Sequence, residues 1–68
     1  MLLKTNIFIL RNEKGMSQEE LANIVGVRRE TISRLEKGLY NPSLKLAMDI
    51  AKVFDKTVEE MFVFLDEE

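Results

Sequence analysis

Three arginines near the middle of the chain carry the side chains best suited to bind an anion or a base edge. Arg28, Arg29 and Arg34 present guanidinium groups, whose planar forks of donors match O6 and N7 of guanine or the oxygens of a phosphate. Between them, Glu30 can accept from cytosine N4 or orient Arg34 one helical turn away, and Thr31 can contact a thymine methyl or a phosphate. This chemistry requires a helix that presents the whole set on an exposed side.

The surrounding stretch, residues 17–38, predicts two short helices joined by a tight turn. Ser17 is a good N-cap, and Glu20 completes a capping box. Gly26 stops the first helix because a sharp turn needs a positive φ, which glycine adopts without penalty. Apolar residues at helical spacing give each helix a buried side; they are Leu21, Ala22, Val25, Ile32 and Leu35. The pattern predicts a helix-turn-helix with the arginines facing outward.

Several segments together resemble the Cro/phage-repressor class of helix-turn-helix domains, also called the xenobiotic response element family. They are Ser17-Gln18-Glu19-Glu20-Leu21-Ala22, Gly26-Val27, Thr31-Ile32-Ser33, Leu35-Glu36-Lys37-Gly38, Asn41-Pro42-Ser43-Leu44 and Val58-Glu59-Glu60-Met61-Phe62. The resemblance covers about residues 4–62. It implies an all-α fold, a compact five-helix lambda-repressor-like domain, for the single domain 1–68. The expected helices are about 4–14, 18–25, 29–37, 43–54 and 58–65.

The resemblance also implies a function, namely sequence-specific binding of double-stranded DNA by a transcriptional regulator. The helix from about residue 29, called the recognition helix below, would lie in the major groove and read bases through Arg28, Arg29, Glu30, Thr31 and Arg34. Contacts to the DNA backbone are expected from Ser17, Gln18, Lys37, Tyr40 and Asn41. Members of this class bind as dimers to two half-sites, so we expect a small homodimeric repressor on a pseudo-palindromic operator.

Two further positions bear on this expectation. An arginine in the place of Arg11 pairs, in the family, with a glutamate in the place of Glu36, and this structural ion pair would tie the first helix to the recognition helix. A solvated surface pair is the alternative. Arg28 occupies the N-cap position, where the family usually has Ser or Thr, and this departure costs roughly 0.5–2 kcal/mol. A phosphate or base partner would offset that cost.

Apolar residues off the buried stripe of the first helix, and on every side of the last one, suggest a contact surface. They are Phe8, Ile9, Met61, Val63, Phe64 and Leu65. We expect them to form the dimer interface, since a short terminal helix that is apolar all round cannot bury every side by itself. Two alternatives remain open: Phe8 folds back over the C-terminal segment, and Phe64 completes the core of its own monomer.

Composition excludes several other classes of function. The 68 residues contain no cysteine and no histidine, so thiolate sites and the usual zinc ligand and general base are missing. We therefore expect no enzyme activity, no metal, no cofactor and no small-molecule ligand. No membrane span or signal peptide is evident, which favours a cytoplasmic protein. The net charge of −2 divides into +2 over residues 1–40 and −4 over residues 41–68. A protein that binds DNA with its N-terminal part would show this asymmetry, and random scatter of charges is the alternative. The alternative function is a protein-interaction module or antitoxin-like partner using the apolar C-terminal helix.

Overall fold

The computed structural model describes residues 2–65, which form five helices and a two-stranded antiparallel sheet. In chain order the elements are β1 (Leu2–Thr5), α1 (Ile7–Glu13), α2 (Gln18–Val25), α3 (Arg29–Glu36), α4 (Leu44–Val53), α5 (Val58–Met61) and β2 (Phe62–Leu65). The five expected helices are present, but the expectation of a purely all-α fold is wrong. Both ends of the described chain are strands.

The sheet replaces helix at two places. The first helix begins at Ile7 instead of residue 4, and the last helix ends at Met61 instead of residue 65. β1 and β2 pair so that Leu2 lies opposite Leu65 and Thr5 opposite Phe62. Leu3 still packs against the core, but from a strand instead of from the first helix. The last helix is short because Phe62 adopts extended backbone angles (φ −130°, ψ 128°) and joins β2.

The core lies between α1–α4 and the inner side of the sheet. Its largest fully buried side chains are Ile7, Leu21, Ile32, Leu35, Ile50 and Met61. We expected Met61 at the dimer interface, but this placement is wrong. Met61 is 1% exposed and belongs to the core. Met61 lies three residues after Val58 on α5, and Val58 also packs against the core, so both share the inward side of that helix.

The other residues expected at a dimer surface remain accessible. Phe8 and Ile9 are 58% and 56% exposed, so α1 leaves both outside the core. The guanidinium carbon of Arg11 lies 5.5 Å from the centroid of the Phe8 ring. Phe64 is about half-exposed and does not complete the core of its own monomer.

Across residues 2–65, no helix has the length and apolar character needed to cross a membrane.

Candidate nucleic-acid interface

The turn between α2 and α3 sets the angle at which the recognition helix leaves the domain. Gly26 has a left-handed conformation with φ 76°, which an L side chain rarely adopts. The amide of Val27 then donates to the carbonyl of Ala22 at 3.0 Å. Ala22 is almost fully buried, and its small side chain allows the two helices to pack closely. The motif predicted from the sequence is therefore present as a helix-turn-helix.

α3 has one fully buried side and one exposed side. Ile32 and Leu35 are 0% exposed and anchor the helix in the core. Arg29, Glu30 and Arg34 are exposed, as is Arg28 just before the helix, while Thr31 and Ser33 are partly buried at its margins. Arg29 and Arg34 are five residues apart, so they project about 140° apart around the helix axis.

The exposed cations at and around this helix make no side-chain contact of an ionic or hydrogen-bonded kind in the described part of the chain. Within residues 2–65, no ion pair or side-chain hydrogen bond engages Arg28, Arg29, Arg34 or Lys37. Glu30 lies one turn before Arg34, yet the two side chains form no ion pair in this part of the chain. The guanidinium groups thus keep all their donors available for an external acceptor.

The start of α3 has no side-chain cap. Arg28 is the N-cap residue, with extended backbone angles (φ −82°, ψ 153°), and its side chain accepts no amide hydrogen bond. Its carbonyl accepts from the amide of Thr31 at 3.0 Å. This end of the helix therefore combines an exposed cation with amide groups that carry the positive end of the helix dipole.

A buried ion pair holds α3 against the first two helices. Nε of Arg11 donates to Oε2 of Glu36 at 2.7 Å, and both side chains are less than 10% exposed, so the pair is not a solvated surface contact. Nη1 of Arg11 donates to the carbonyl of Met16 at 2.8 Å. Nε2 of Gln18 donates to Oε1 of Glu36 at 3.0 Å. Glu36 thus joins α1, α2 and α3, and this fixes the position of the recognition helix.

The contact between Gln18 and Glu36 was missed by the sequence reading, which assigned Gln18 to the DNA backbone. Its amide is partly buried and already donates one hydrogen bond within the protein. Within residues 2–65, the side-chain oxygen of Gln18 and the second N–H of its amide group do not bond to Glu36 and remain available to DNA. Gln–Glu pairs between separate helices carry no local sequence signal, since these two residues are 18 positions apart.

The segment after α3 brings the expected backbone-contacting residues to its C-terminal end. The amide of Gly38 donates to the carbonyl of Leu35 at 3.0 Å, and that of Leu39 to the carbonyl of Arg34 at 2.9 Å. Tyr40 and Asn41 follow and are exposed. They line a shallow depression together with Leu3 and Phe64 of the two strands. The sheet therefore lies next to the loop that leaves the recognition helix.

Capping boxes fix the beginnings of α2 and α5. The hydroxyl of Ser17 accepts from the amide of Glu20 at 3.0 Å, and the Glu20 carboxylate accepts from the amide of Ser17 at 2.8 Å. Thr57 and Glu60 repeat this arrangement. The backbone hydrogen bond from Ser17 is the largest cause that lowers the pKa of the Glu20 carboxyl, and the Ser17 side chain lowers it further, because both favour the charged form. Thr57 lowers the pKa of the Glu60 carboxyl in the same way.

Among the described residues, no three His, Cys, Asp or Glu side chains are grouped to hold a metal ion.

Residues 7–61 match the sequence profile of a protein family described as helix-turn-helix. The chain belongs to this helix-turn-helix family. The matched region begins with α1 and ends with α5, so both strands lie just outside it. The helices that carry Arg29, Arg34 and the buried ion pair are therefore the part this chain shares with the family.

Known proteins similar to this chain include a relative of nearly the same length. An uncharacterized HTH-type transcriptional regulator of Archaeoglobus fulgidus is 59% identical over 66 residues, which cover 97% of this chain and 94% of that protein. Two solved structures are also similar. The restriction-modification controller protein C.AhdI of Aeromonas hydrophila has a TM-score of 0.73 and 34% identity, over 81% of this chain and 83% of that one. The biofilm master regulator SinR, solved in complex with DNA, has a TM-score of 0.70 and 36% identity, over 79% and 87%.

Proposed function

We propose that this helix-turn-helix protein binds double-stranded DNA sequence-specifically and regulates transcription by doing so. One observation carries the proposal. Ile32 and Leu35 lock one side of α3 into the core, while Arg29 and Arg34 on its exposed sides have no intramolecular partner within residues 2–65. A helix of this width fits the major groove of B-DNA. The DNA complex of the similar protein SinR supports the same use of the motif.

In this proposal, base recognition is divided among the exposed residues of α3. Arg29 and Arg34 form bidentate hydrogen bonds to guanine O6 and N7 from different sides of the helix. Glu30 accepts from cytosine N4, and Thr31 contacts a thymine methyl or an adjacent phosphate. Arg28 reaches a base or a phosphate at the uncapped end of the helix, and this contact offsets the missing cap. Each bidentate pair contributes about 1–3 kcal/mol of discrimination against the wrong base.

Contacts to the DNA backbone would set the orientation of the helix without reading sequence. The first amides of α2 follow Ser17, and those of Gln18 and Glu19 have no acceptor within residues 2–65. Helix N-termini of this kind bind phosphate oxygens. Glu20 does not compete for that position, because its carboxylate is already held by the Ser17 amide. Lys37, Tyr40 and Asn41 hold a second phosphate at the other end of α3.

We further propose that the protein acts as a homodimeric repressor on a pseudo-palindromic operator. One domain with a recognition helix of eight residues reads few base pairs, and two copies related by a two-fold axis read two half-sites about 34 Å apart. Occupying an operator that overlaps a promoter is sufficient to exclude the polymerase.

Selection from random DNA duplexes tests the proposal directly. The wild-type protein should enrich a motif with two-fold symmetry, and its affinity should fall steeply as the salt concentration rises because bound phosphates release counterions. Arg34→Ala should lose the preference at one position of each half-site. Arg34→Lys keeps the charge but not the donor fork, so it should lose that preference while keeping most of the salt dependence.

Lys52→Ala provides the matched control for lost charge, since Lys52 is exposed and belongs to α4 instead of the recognition helix. It should bind with unchanged specificity. Enrichment of no motif, or an Arg34→Lys variant with unchanged base preference, would contradict the assignment of α3 as the reading helix.

A further inference from the structure

Within residues 2–65, one edge of the two-stranded sheet has no strand paired with it. The outer edge of β1 faces the end of the recognition helix, where Gly38 lies directly against the carbonyl oxygen of Leu3. On the other side, no strand within residues 2–65 pairs with the outer edge of β2. The backbone of Phe62–Leu65 is therefore half-paired.

The register identifies which backbone groups of β2 point outward. The amide of Asn6 donates to the carbonyl of Met61 at 3.2 Å, which makes these two opposed residues a hydrogen-bonded pair. Hydrogen-bonded pairs alternate along an antiparallel ladder, so Lys4 with Val63 is the next such pair. Phe64 then directs its N–H and C=O away from β1. The outward carbonyl of Leu3, opposite Phe64, agrees with this assignment.

The side chains of β2 leave this edge unprotected. Val63, Phe64 and Leu65 are 46%, 47% and 44% exposed. Natural edge strands usually avoid further pairing by means of charged residues, proline or bulges. The segment Phe62–Leu65 contains neither a charged residue nor a proline, and it follows a regular register. A sheet of only two strands is also marginal in water, and more strands stabilise it.

We propose that β2 is a docking edge for β2 of a second copy of this chain, which pairs with it antiparallel across a two-fold axis at Phe64. The outward N–H and C=O of Phe64 would bond to their counterparts in the second copy, and the two sheets would become one of four strands. Phe64, Val63 and Leu65 would lose most of their exposure on either face of that sheet. The α-helices would not contribute to the central contact.

The placement of the recognition helix supports a second copy as the occupant, and this step rests on the proposed function. Strands in a sheet lie about 4.8 Å apart, so Gly38 would lie roughly 12 Å from the two-fold axis. α3 ends two residues before Gly38, so the centre of the helix lies roughly 8 Å from Gly38. The centres of the two recognition helices would be roughly 24 Å apart if α3 runs parallel to the two-fold axis and roughly 40 Å apart if it points directly away from the axis. This interval includes the spacing of about 34 Å between successive major grooves on one side of B-DNA.

The region shared with the helix-turn-helix family does not include the proposed edge. The family match ends at residue 61, one residue before β2 begins. The proposed interface thus depends on residues that this chain has in addition to the matched region. A helix-mediated dimer would instead use exposed side chains within the matched region, such as Met48 on α4.

Sedimentation equilibrium of the full chain without DNA tests the interface with a matched pair of variants. Phe64→Pro removes the outward N–H, and proline is tolerated where the N–H of an edge strand faces outward. Phe64→Val removes the same aromatic ring but keeps the N–H. We expect the wild type and Phe64→Val to form dimers as concentration rises, and Phe64→Pro to remain monomeric with an unchanged helical circular dichroism spectrum. Dimerisation of Phe64→Pro equal to that of Phe64→Val would overturn the proposal.

Two measurements keep the proposal testable if Phe64→Pro does not fold. In the wild type, exchange of the Phe64 amide should slow at least tenfold between dilute and concentrated solution, while the free Gln18 amide at the start of α2 should not change. The chain has no cysteine, so Phe64→Cys creates a single thiol. Hydrogen-bonded antiparallel partners have Cα atoms about 5.5 Å apart, within reach of a disulfide. Phe64→Cys should therefore cross-link into a covalent dimer under mild oxidation, and Met48→Cys should not.

Failure of this interface and failure of the proposed DNA binding give different results. Arg29→Ala with Arg34→Ala should abolish operator binding and leave the dimer unchanged. A wild type that stays monomeric at every concentration and on DNA overturns the interface but not base reading by α3. If Met48→Cys cross-links into a dimer and Phe64→Cys does not, the second copy does not occupy the edge of β2. The same conclusion follows if β2 pairs with an added peptide from another protein but not with its own copy.

Discussion

Gly38 lies so close to the carbonyl oxygen of Leu3 that no other residue fits at position 38 without a shift of the backbone. A Cβ added to Gly38 would overlap that oxygen, and Gly38 also has a positive φ of 75°. The contact joins the end of the recognition helix to β1. The sheet, which the sequence reading missed, therefore takes part in positioning the helix that we propose reads DNA.

Replacing this glycine should be much more damaging than replacing the glycine of the helix-turn-helix corner. Gly26→Ala meets nothing within 4 Å, so it should cost only the left-handed conformation, about 1–2 kcal/mol. Gly38→Ala has the same conformational cost and in addition collides with backbone, so we expect a loss of about 3 kcal/mol or more. Urea unfolding of both variants measures the difference. Equal losses would mean that β1 does not pack against the end of α3.

The ion pair between Arg11 and Glu36 gives a second prediction. Because both side chains are buried, Arg11→Ala leaves an unpaired charge on Glu36 and should destabilise the domain by about 3–5 kcal/mol. The double variant Arg11→Met with Glu36→Met should lose less than the two single changes together, since it leaves no buried charge. Denaturant unfolding of the wild type, Arg11→Met, Glu36→Met and the double variant closes the cycle. Single losses below about 1 kcal/mol would indicate a pair that is effectively solvated.

The capping boxes predict a loss of stability in acid. The folded-state pKa values of Glu20 and Glu60 lie below the unfolded values, since the charged carboxylates accept amide hydrogen bonds. The stabilisation is therefore fully present above the unfolded pKa and is lost as the pH falls through the folded one. Glu20→Gln should lower the melting temperature at pH 7 and reduce its fall toward pH 3.

Glu19→Gln is the control for that experiment. Glu19 lies in the same first turn of α2, but no side-chain hydrogen bond involves it within residues 2–65. Its replacement should leave the fall in melting temperature between pH 7 and pH 3 close to that of the wild type. If Glu20→Gln and Glu19→Gln behaved alike, the capping box would not explain the acid sensitivity.

The sequence predicted the elements whose boundaries are set by neighbouring residues. Ser17 with Glu20 and the glycine at position 26 placed α2 at Gln18–Val25, as observed, and α3 within one residue. The strands were missed because Phe62 and Leu65 continue the helical spacing of Val58 and Met61. Their extended state depends on pairing with β1, about sixty residues away. β-Branched and aromatic residues at 62–64 were the local signal that favoured a strand.

The site divides in the same way. The outward positions of Arg29 and Arg34 followed from the apolar spacing of Ile32 and Leu35, because the four residues share one helix. The hydrogen bond from Gln18 to Glu36 did not follow, since it depends on how two helices pack. Residues that act from one element were thus predictable from their spacing. Of the contacts between elements, the Arg11–Glu36 ion pair was expected, but only from the family resemblance and not from any local signal.

The N-cap of α3 offers the sharpest separation of stability from DNA binding. Arg28 has the extended backbone of an N-cap residue but supplies no cap hydrogen bond. Arg28→Ser should supply one and remove a cation from the positive end of the helix dipole, so the domain should gain about 0.5–2 kcal/mol in urea unfolding. If Arg28 contacts DNA as proposed, the same variant should bind the selected operator more weakly, and its salt dependence should be smaller. A variant that is more stable and binds equally well would show that Arg28 makes no contact with DNA, and that the missing cap has no compensation there.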